Sequence, residues 1–102
     1  MERHRLGAQR VPGKAYVEFV RTGEMSVGVY RIAVGGTDPQ QPHAEEEIYH
    51  VVRGVARFTS GGEDIAVAAG DVILVPAGEP HRFYEISEEL ELLVVFAPPE
   101  SV

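Results

Sequence analysis

Glycine and proline punctuate most of this chain at short intervals, as turns do in a β protein. Eleven glycines and seven prolines are spread over 102 residues, and most fall between runs rich in Val, Ile, Tyr and Phe. Such runs favour strand, and no segment carries an apolar stripe of 3.6-residue period over helical length. Strands are read over 15–21 and 25–34, with Gly23-Glu24 turning between them. Residues 35–42, Gly-Gly-Thr-Asp-Pro-Gln-Gln-Pro, form a loop. Further strands are expected over 46–53 and 55–60 on either side of Gly54. Another follows over 63–68, after the hairpin pair Gly61-Gly62, and another over 72–75, after the turn Ala69-Gly70-Asp71. Residues 76–80 turn the chain into a strand over 81–86, and Ser87-Glu88-Glu89 turns it again into 90–96. Short strands at regular turns point to an all-β fold, a sandwich or barrel of the jelly-roll kind.

Residues 1–14 are polar and contain Pro12 and Gly13, so they read as an N-terminal arm ahead of a single domain over 15–102. A chain of this length builds one core, not two. Its formal net charge of -7 lacks the basic footprint that phosphate backbones require, so nucleic acid is not an expected partner. There is no cysteine, which excludes disulfides, thiolate zinc sites and cysteine nucleophiles. No apolar run approaches the ~18–20 residues of a membrane span. The opening Met1-Glu2-Arg3-His4-Arg5-Leu6-Gly7 has no apolar leader segment, so a cytoplasmic protein is expected. Ser26, Thr59 and Ser60 have no partner pattern for a nucleophilic triad, and the glycines form no phosphate loop.

Two segments carry the chemistry. One runs from Gly35 through Gln41, His43 and Glu47 to Gly54; the other runs from Gly70 through Pro76 and Gly78 to His81. Together they supply two histidines and a carboxylate, a set used by non-haem iron and other divalent metals. One strand alone does not wrap a metal, because same-face side chains rise ~6.5–7 Å per pair, so a group from a neighbouring strand is needed.

These segments resemble the paired motifs of the cupins, Gly-x5-His-x-His-x3,4-Glu-x6-Gly and Gly-x5-Pro-x-Gly-x2-His-x3-Asn. The spacings match over 35–85. The resemblance implies a small jelly-roll, or double-stranded β-helix, barrel with one divalent ion (Fe, Mn, Ni, Cu or Zn). Its ligands would be His43, Glu47 and His81, with Gln41 beside them. Gln41 stands where the family usually has its first histidine, and Glu85 where the second motif usually ends in asparagine.

Strand parity adds to this reading. Tyr49 shares a face with Glu47, and Phe83 and Glu85 share one with His81, as pocket wall or as core. Tyr49 and Glu85 are the candidate catalytic groups; Glu85 is placed to act as a base or to accept from His81. Glu45 points inward by parity, Glu46 is solvated, and His50 faces away from the pocket. The function expected is a metal-dependent enzyme, dioxygenase- or isomerase-like, acting on a small organic molecule. The alternative is a non-catalytic cupin that binds or senses a small ligand through a reduced metal site. Strands 15–21 and 90–96 are apolar on both faces, which predicts cover from a second copy and hence a homodimer, the alternative being that the arm of residues 1–14 folds over one face and leaves a monomer.

Overall fold

Six strands form one antiparallel sheet that folds back on itself, bearing out the expected jelly-roll barrel. The computed structural model describes residues 1–39 and 42–101. The strands are β1 (Tyr16–Arg21), β2 (Ser26–Ile32), β3 (Glu46–Ser60), β4 (Glu63–Ala68), β5 (Val72–Val75) and β6 (His81–Ala97). They lie in the order β1-β2-β6-β3-β4, with β5 on the other part of β3. Apart from a 3-10 turn at Leu6–Ala8, the described residues contain no helix.

β3 and β6 are long enough to belong to two layers. The first half of β3 pairs with the second half of β6 from Glu46↔Ala97 to Val51↔Leu92, between β2 and β5. The second half of β3 pairs with the first half of β6 from Arg57↔Tyr84 to Ser60↔His81, beside β4. Between these stretches the register shifts three times. The inward side chains change parity there: Tyr49 and Val51 give way to Ala56 and Phe58, and Phe83 gives way to Ile86, Leu90 and Leu92. Between Val51↔Leu92 and Arg57↔Tyr84, β3 advances six residues and β6 eight, so the ladder is irregular at the bend, as at a β-bulge.

Gly54 sits at the bend of β3 with φ 107°. A Cβ there would lie 2.3 Å from the Glu89 carbonyl oxygen and 2.7 Å from Leu90 Cα, so only glycine fits. At the bend of β6, Glu85 takes φ 47°.

Two expectations are corrected here. The chain does not turn at Ser87-Glu88-Glu89; β6 runs through them unbroken. These residues look like a turn because they lie exposed on the outside of the bend, where Ser87 Oγ donates to the Val55 carbonyl. Likewise Gly54 lies inside one strand rather than between two. The hairpin at Gly61-Gly62 holds, with φ 56° and 84° as a two-residue turn of positive φ requires.

The core lies between the layers, with Tyr30, Tyr49, Val51, Leu92, Val94 and Phe96 from one packed against Phe58, Val67 and Phe83 from the other. The arm lies against β2: the Arg31 guanidinium donates to the Leu6 and Gln9 carbonyls at 2.8 and 2.7 Å. The same guanidinium pairs with Glu91 at 2.8 Å. No helix of the described residues is long and apolar enough to cross a membrane.

Candidate metal centre

Two turns set the site. The loop between β2 and β3 carries His43, and the turn after β5 leads into His81 at the start of β6. The Gly78 N–H donates to the His43 carbonyl at 2.7 Å, which clips the two turns together. Gly78 holds φ 76°, a left-handed value that suits glycine. Glu47 comes from the start of β3. His43, Glu47 and His81 thereby offer ligand atoms that all lie within 4.8 Å of one another.

The tautomer of His81 follows from its partners. Its Nδ1 lies 2.8 Å from the Glu79 carbonyl, which only accepts, so Nδ1 carries the hydrogen. In the neutral ring Nε2 then holds a lone pair, and it accepts from the Tyr49 hydroxyl at 3.1 Å. Glu47 Oε1 is also 3.1 Å from Nε2, with both side chains almost fully buried. That nitrogen has no hydrogen for it, and Glu47 Oε1 has no hydrogen-bond donor among the described residues. Two acceptor atoms therefore lie 3.1 Å apart in a buried site. A cation between them, whether a proton or a metal, removes the conflict.

The charge balance agrees. Burial works against the imidazolium of His81, but the Glu47 carboxylate and the Glu79 carbonyl outweigh it and raise its pKa. His43 is less enclosed. Its ring packs on the Phe96 ring at 4.8 Å between centroids and lies 5.7 Å from that of His81. Its Nδ1 is 3.7 Å from Glu100 Oε2. Burial pushes the Glu100 carboxyl up, against the opposing pull of His43.

The other sequence-predicted residues are placed as follows. Tyr49 is fully buried, with its hydroxyl at His81 and its ring edge-on to Phe83 at 4.9 Å. Gln41 lies outside the described residues. Glu85 does not share the inward face of His81. It is the residue at which β6 changes parity, and its side chain is exposed.

Two residues escaped the sequence reading, Asp38 and Glu100, and it leaves the role of a third, Glu45, open. Asp38 is buried in the loop, accepting from the Tyr30 hydroxyl at 2.7 Å and from the Phe83 N–H at 2.9 Å. It thus ties the loop that precedes His43 to both layers. A loop aspartate before proline reads only as a turn former. Glu45 points inward, but its carboxylate accepts from the Ser101 hydroxyl at 2.8 Å and so holds the tail. Glu100, on that tail, reaches His43 from 57 residues away in sequence, and no local signal marks it. A cavity of about 200 Å³ opens beside the trio, lined by His43, Glu47 and Glu100 and by Tyr16, Tyr30 and Phe96.

A cupin-domain family model matches residues 28–96, and the chain belongs to the cupin family. An uncharacterised protein of Streptomyces coelicolor is 54% identical over 87 residues, which is 85% of this chain and 83% of that protein. A Thermus thermophilus protein of known structure superposes with a TM-score of 0.83 at 27% identity, covering 97% of this chain and 99% of that one. The DMSP lyase DddQ of Ruegeria pomeroyi shares the fold, with a TM-score of 0.72 at 20% identity over 93% of this chain and 54% of that one.

Proposed function

We propose that His43, Glu47 and His81 hold one divalent metal ion and that the protein is a metal-dependent enzyme acting on a small organic molecule in the adjoining cavity. The observation that carries this reading is the buried pair of acceptor atoms 3.1 Å apart, His81 Nε2 and Glu47 Oε1, the second without a donor among the described residues. The donor set suits a metal: two imidazoles and one carboxylate leave coordination positions open, and Fe, Mn, Ni, Cu and Zn all accept such donors. An ion held by these three residues would supply Lewis acidity or, were it iron, the capacity to activate dioxygen.

The surrounding side chains have their own tasks. The Glu79 carbonyl fixes the orientation of the His81 ring. Tyr49 keeps a hydroxyl beside Nε2, where it can donate to whatever occupies the site. Gln41 is assigned here as a neutral fourth donor or as a contact to the bound molecule. Glu85 is given no part, since it faces solvent. That a structural relative is a lyase of a small molecule supports the reading at the level of fold alone.

A homodimer and a cytoplasmic setting belong to the same reading. On the outer side of the layer that contains β5, Ile48 and Leu74 are cross-strand partners, with Val72 beside them. They are 40%, 59% and 67% exposed. The arm is anchored at β2, so it leaves this β3–β5 end bare, and a second copy is the proposed cover.

The test is elemental analysis of protein purified without added chelator, beside His81→Ala. About one metal ion per wild-type chain and none in the variant, with an unchanged β-type circular dichroism spectrum, is expected. A metal-free wild type that takes up none of these ions on titration would overturn the reading. An oxygen-uptake screen of the loaded protein with catechols, flavonols and thiols then separates an enzyme from a ligand sensor.

A further inference from the structure

We infer that Tyr16 donates a hydrogen bond to an uncharged small molecule, one with an acceptor oxygen on an apolar or aromatic body, seated in the cavity beside His43 and Glu47. The inference deepens the proposed function and takes from it the end of the ligand that meets the trio; the donor itself needs no metal.

Tyr16 begins β1 opposite Tyr30, and its ring occupies the space over β2 where Gly28 has no side chain. A Cβ on Gly28 would come within 2.3 Å of both Tyr16 Cζ and its hydroxyl oxygen. Ser26, Val27, Val29 and Tyr30 flank this glycine, so the strand gives up a side chain at one inward position. The phenol fills it. Edge-on contacts with Tyr30 and Phe96, at 6.4 and 6.3 Å between centroids, fix the ring.

The position demands a ring but gives its hydroxyl nothing to bond. That oxygen is buried, has no hydrogen-bond partner among the described residues, and belongs to a side chain that lines the cavity. A buried hydroxyl without a partner costs free energy that phenylalanine would avoid. A donor held in this state gains its partner when a ligand arrives.

The cavity also defines the ligand. Burial, and then the Glu100 and Glu18 carboxylates, hold the Tyr16 phenol above its ordinary range, so it acts as a neutral donor and not as a base. Glu47 and Glu100 on the walls disfavour an anion, while Val94, Phe96 and Tyr30 supply apolar surface. An apolar cavity of about 150 Å³ holds benzene. The volume here, about 200 Å³, takes one ring with a small substituent.

Acetophenone and ethylbenzene, alike in shape but only the first with an acceptor, are the probes. Each is titrated by protein-observed NMR into wild type and Tyr16→Phe, in EDTA and again after metal loading, with metal content measured throughout. In EDTA, wild type should prefer acetophenone by about threefold to tenfold more than the variant does. The variant should hold metal as wild type does and melt no lower. An equal preference in both proteins would overturn the inference, as would failure of both probes to shift cavity resonances. A lower melting temperature for the variant would do so too, since it would mean that the hydroxyl is already bonded in the free protein. A wild type without metal but with the expected probe preference would overturn the metal reading and leave this one standing.

Discussion

Glu47→Gln should act in opposite directions on the metal-free and metal-loaded protein. In the free protein the carboxylate oxygen Oε1 is buried without a donor among the described residues, 3.1 Å from Nε2 of neutral His81. The amide is isosteric, carries no charge to bury, and brings an N–H that shares the Nε2 lone pair with the Tyr49 hydroxyl in place of the repulsion. An unsatisfied buried group costs about 1–3 kcal/mol, more when charged. In a domain of roughly this length each kcal/mol moves the melting temperature by about 4–8 °C. In EDTA at about pH 9, where an ordinary imidazole is neutral, the variant should therefore melt several degrees higher. With metal the order should reverse, because the anionic ligand is gone and so is the stabilisation that binding confers. Protonation supplies a further check. The folded pKa of His81 lies above its ordinary value: burial opposes the charge, but Glu47 and the Glu79 carbonyl outweigh it. The imidazolium–carboxylate pair thus stabilises the fold fully below the ordinary imidazole pKa, and this is lost as pH rises through the raised folded value. The advantage of the variant should shrink on acidification and then invert. Differential scanning calorimetry across pH measures all of this. A variant that melts below wild type at alkaline pH in EDTA would refute the reasoning, since Oε1 would then have a donor.

Three further outcomes are expected. Gly54→Ala puts a Cβ 2.3 Å from the Glu89 carbonyl oxygen at a φ of 107°; the loss should exceed about 3 kcal/mol, and urea denaturation at or near the wild-type midpoint would contradict it. Leu74→Glu places a charge in the exposed apolar patch and should convert a particle of about twice the 11.1 kDa chain mass into a monomer by light scattering. A wild type that is already monomeric at micromolar concentration would remove the case for a dimer. Gln41→His should tighten metal binding by about 1–2 kcal/mol if residue 41 is a ligand, read by calorimetric titration. Unchanged metal binding with weaker uptake of organic probes would instead assign Gln41 to the bound molecule.

Much of the architecture was legible because its turns are chemically marked. Gly61-Gly62 requires two positive φ values, and Val72–Val75 is bounded by Gly70 and Pro76; both were readable from the chain. The paired motifs likewise pointed to the cupin fold. The bends were not legible. A bulge is one extra residue, and nothing in the run Phe83-Tyr84-Glu85-Ile86 says which one it is. Parity counted onward from His81 therefore placed Glu85 inside, although it is the residue at which the alternation breaks. The run Ser87-Glu88-Glu89 misled for a related reason, since an exposed corner within a strand has the polarity of a turn. Asp38 and Glu100 depend on partners far away in the chain, the second 57 residues from His43. Such pairings follow only from the finished topology.

The passage of β3 and β6 through both layers has a consequence for how the molecule comes apart. A sandwich of independent sheets can lose one sheet and keep the other for a time. Here each layer contains half of both long strands, so freeing either layer unzips the ladder that holds its neighbour. Opening should be all-or-none, with amides such as Val51 and Phe58 exchanging with deuterium at a common, globally limited rate despite lying in different layers. Glu47 belongs to one layer and His81 to the other. An ion bound between them would act as a rivet through both plates, slowing every exchange event of the barrel together rather than quieting only the loops around it.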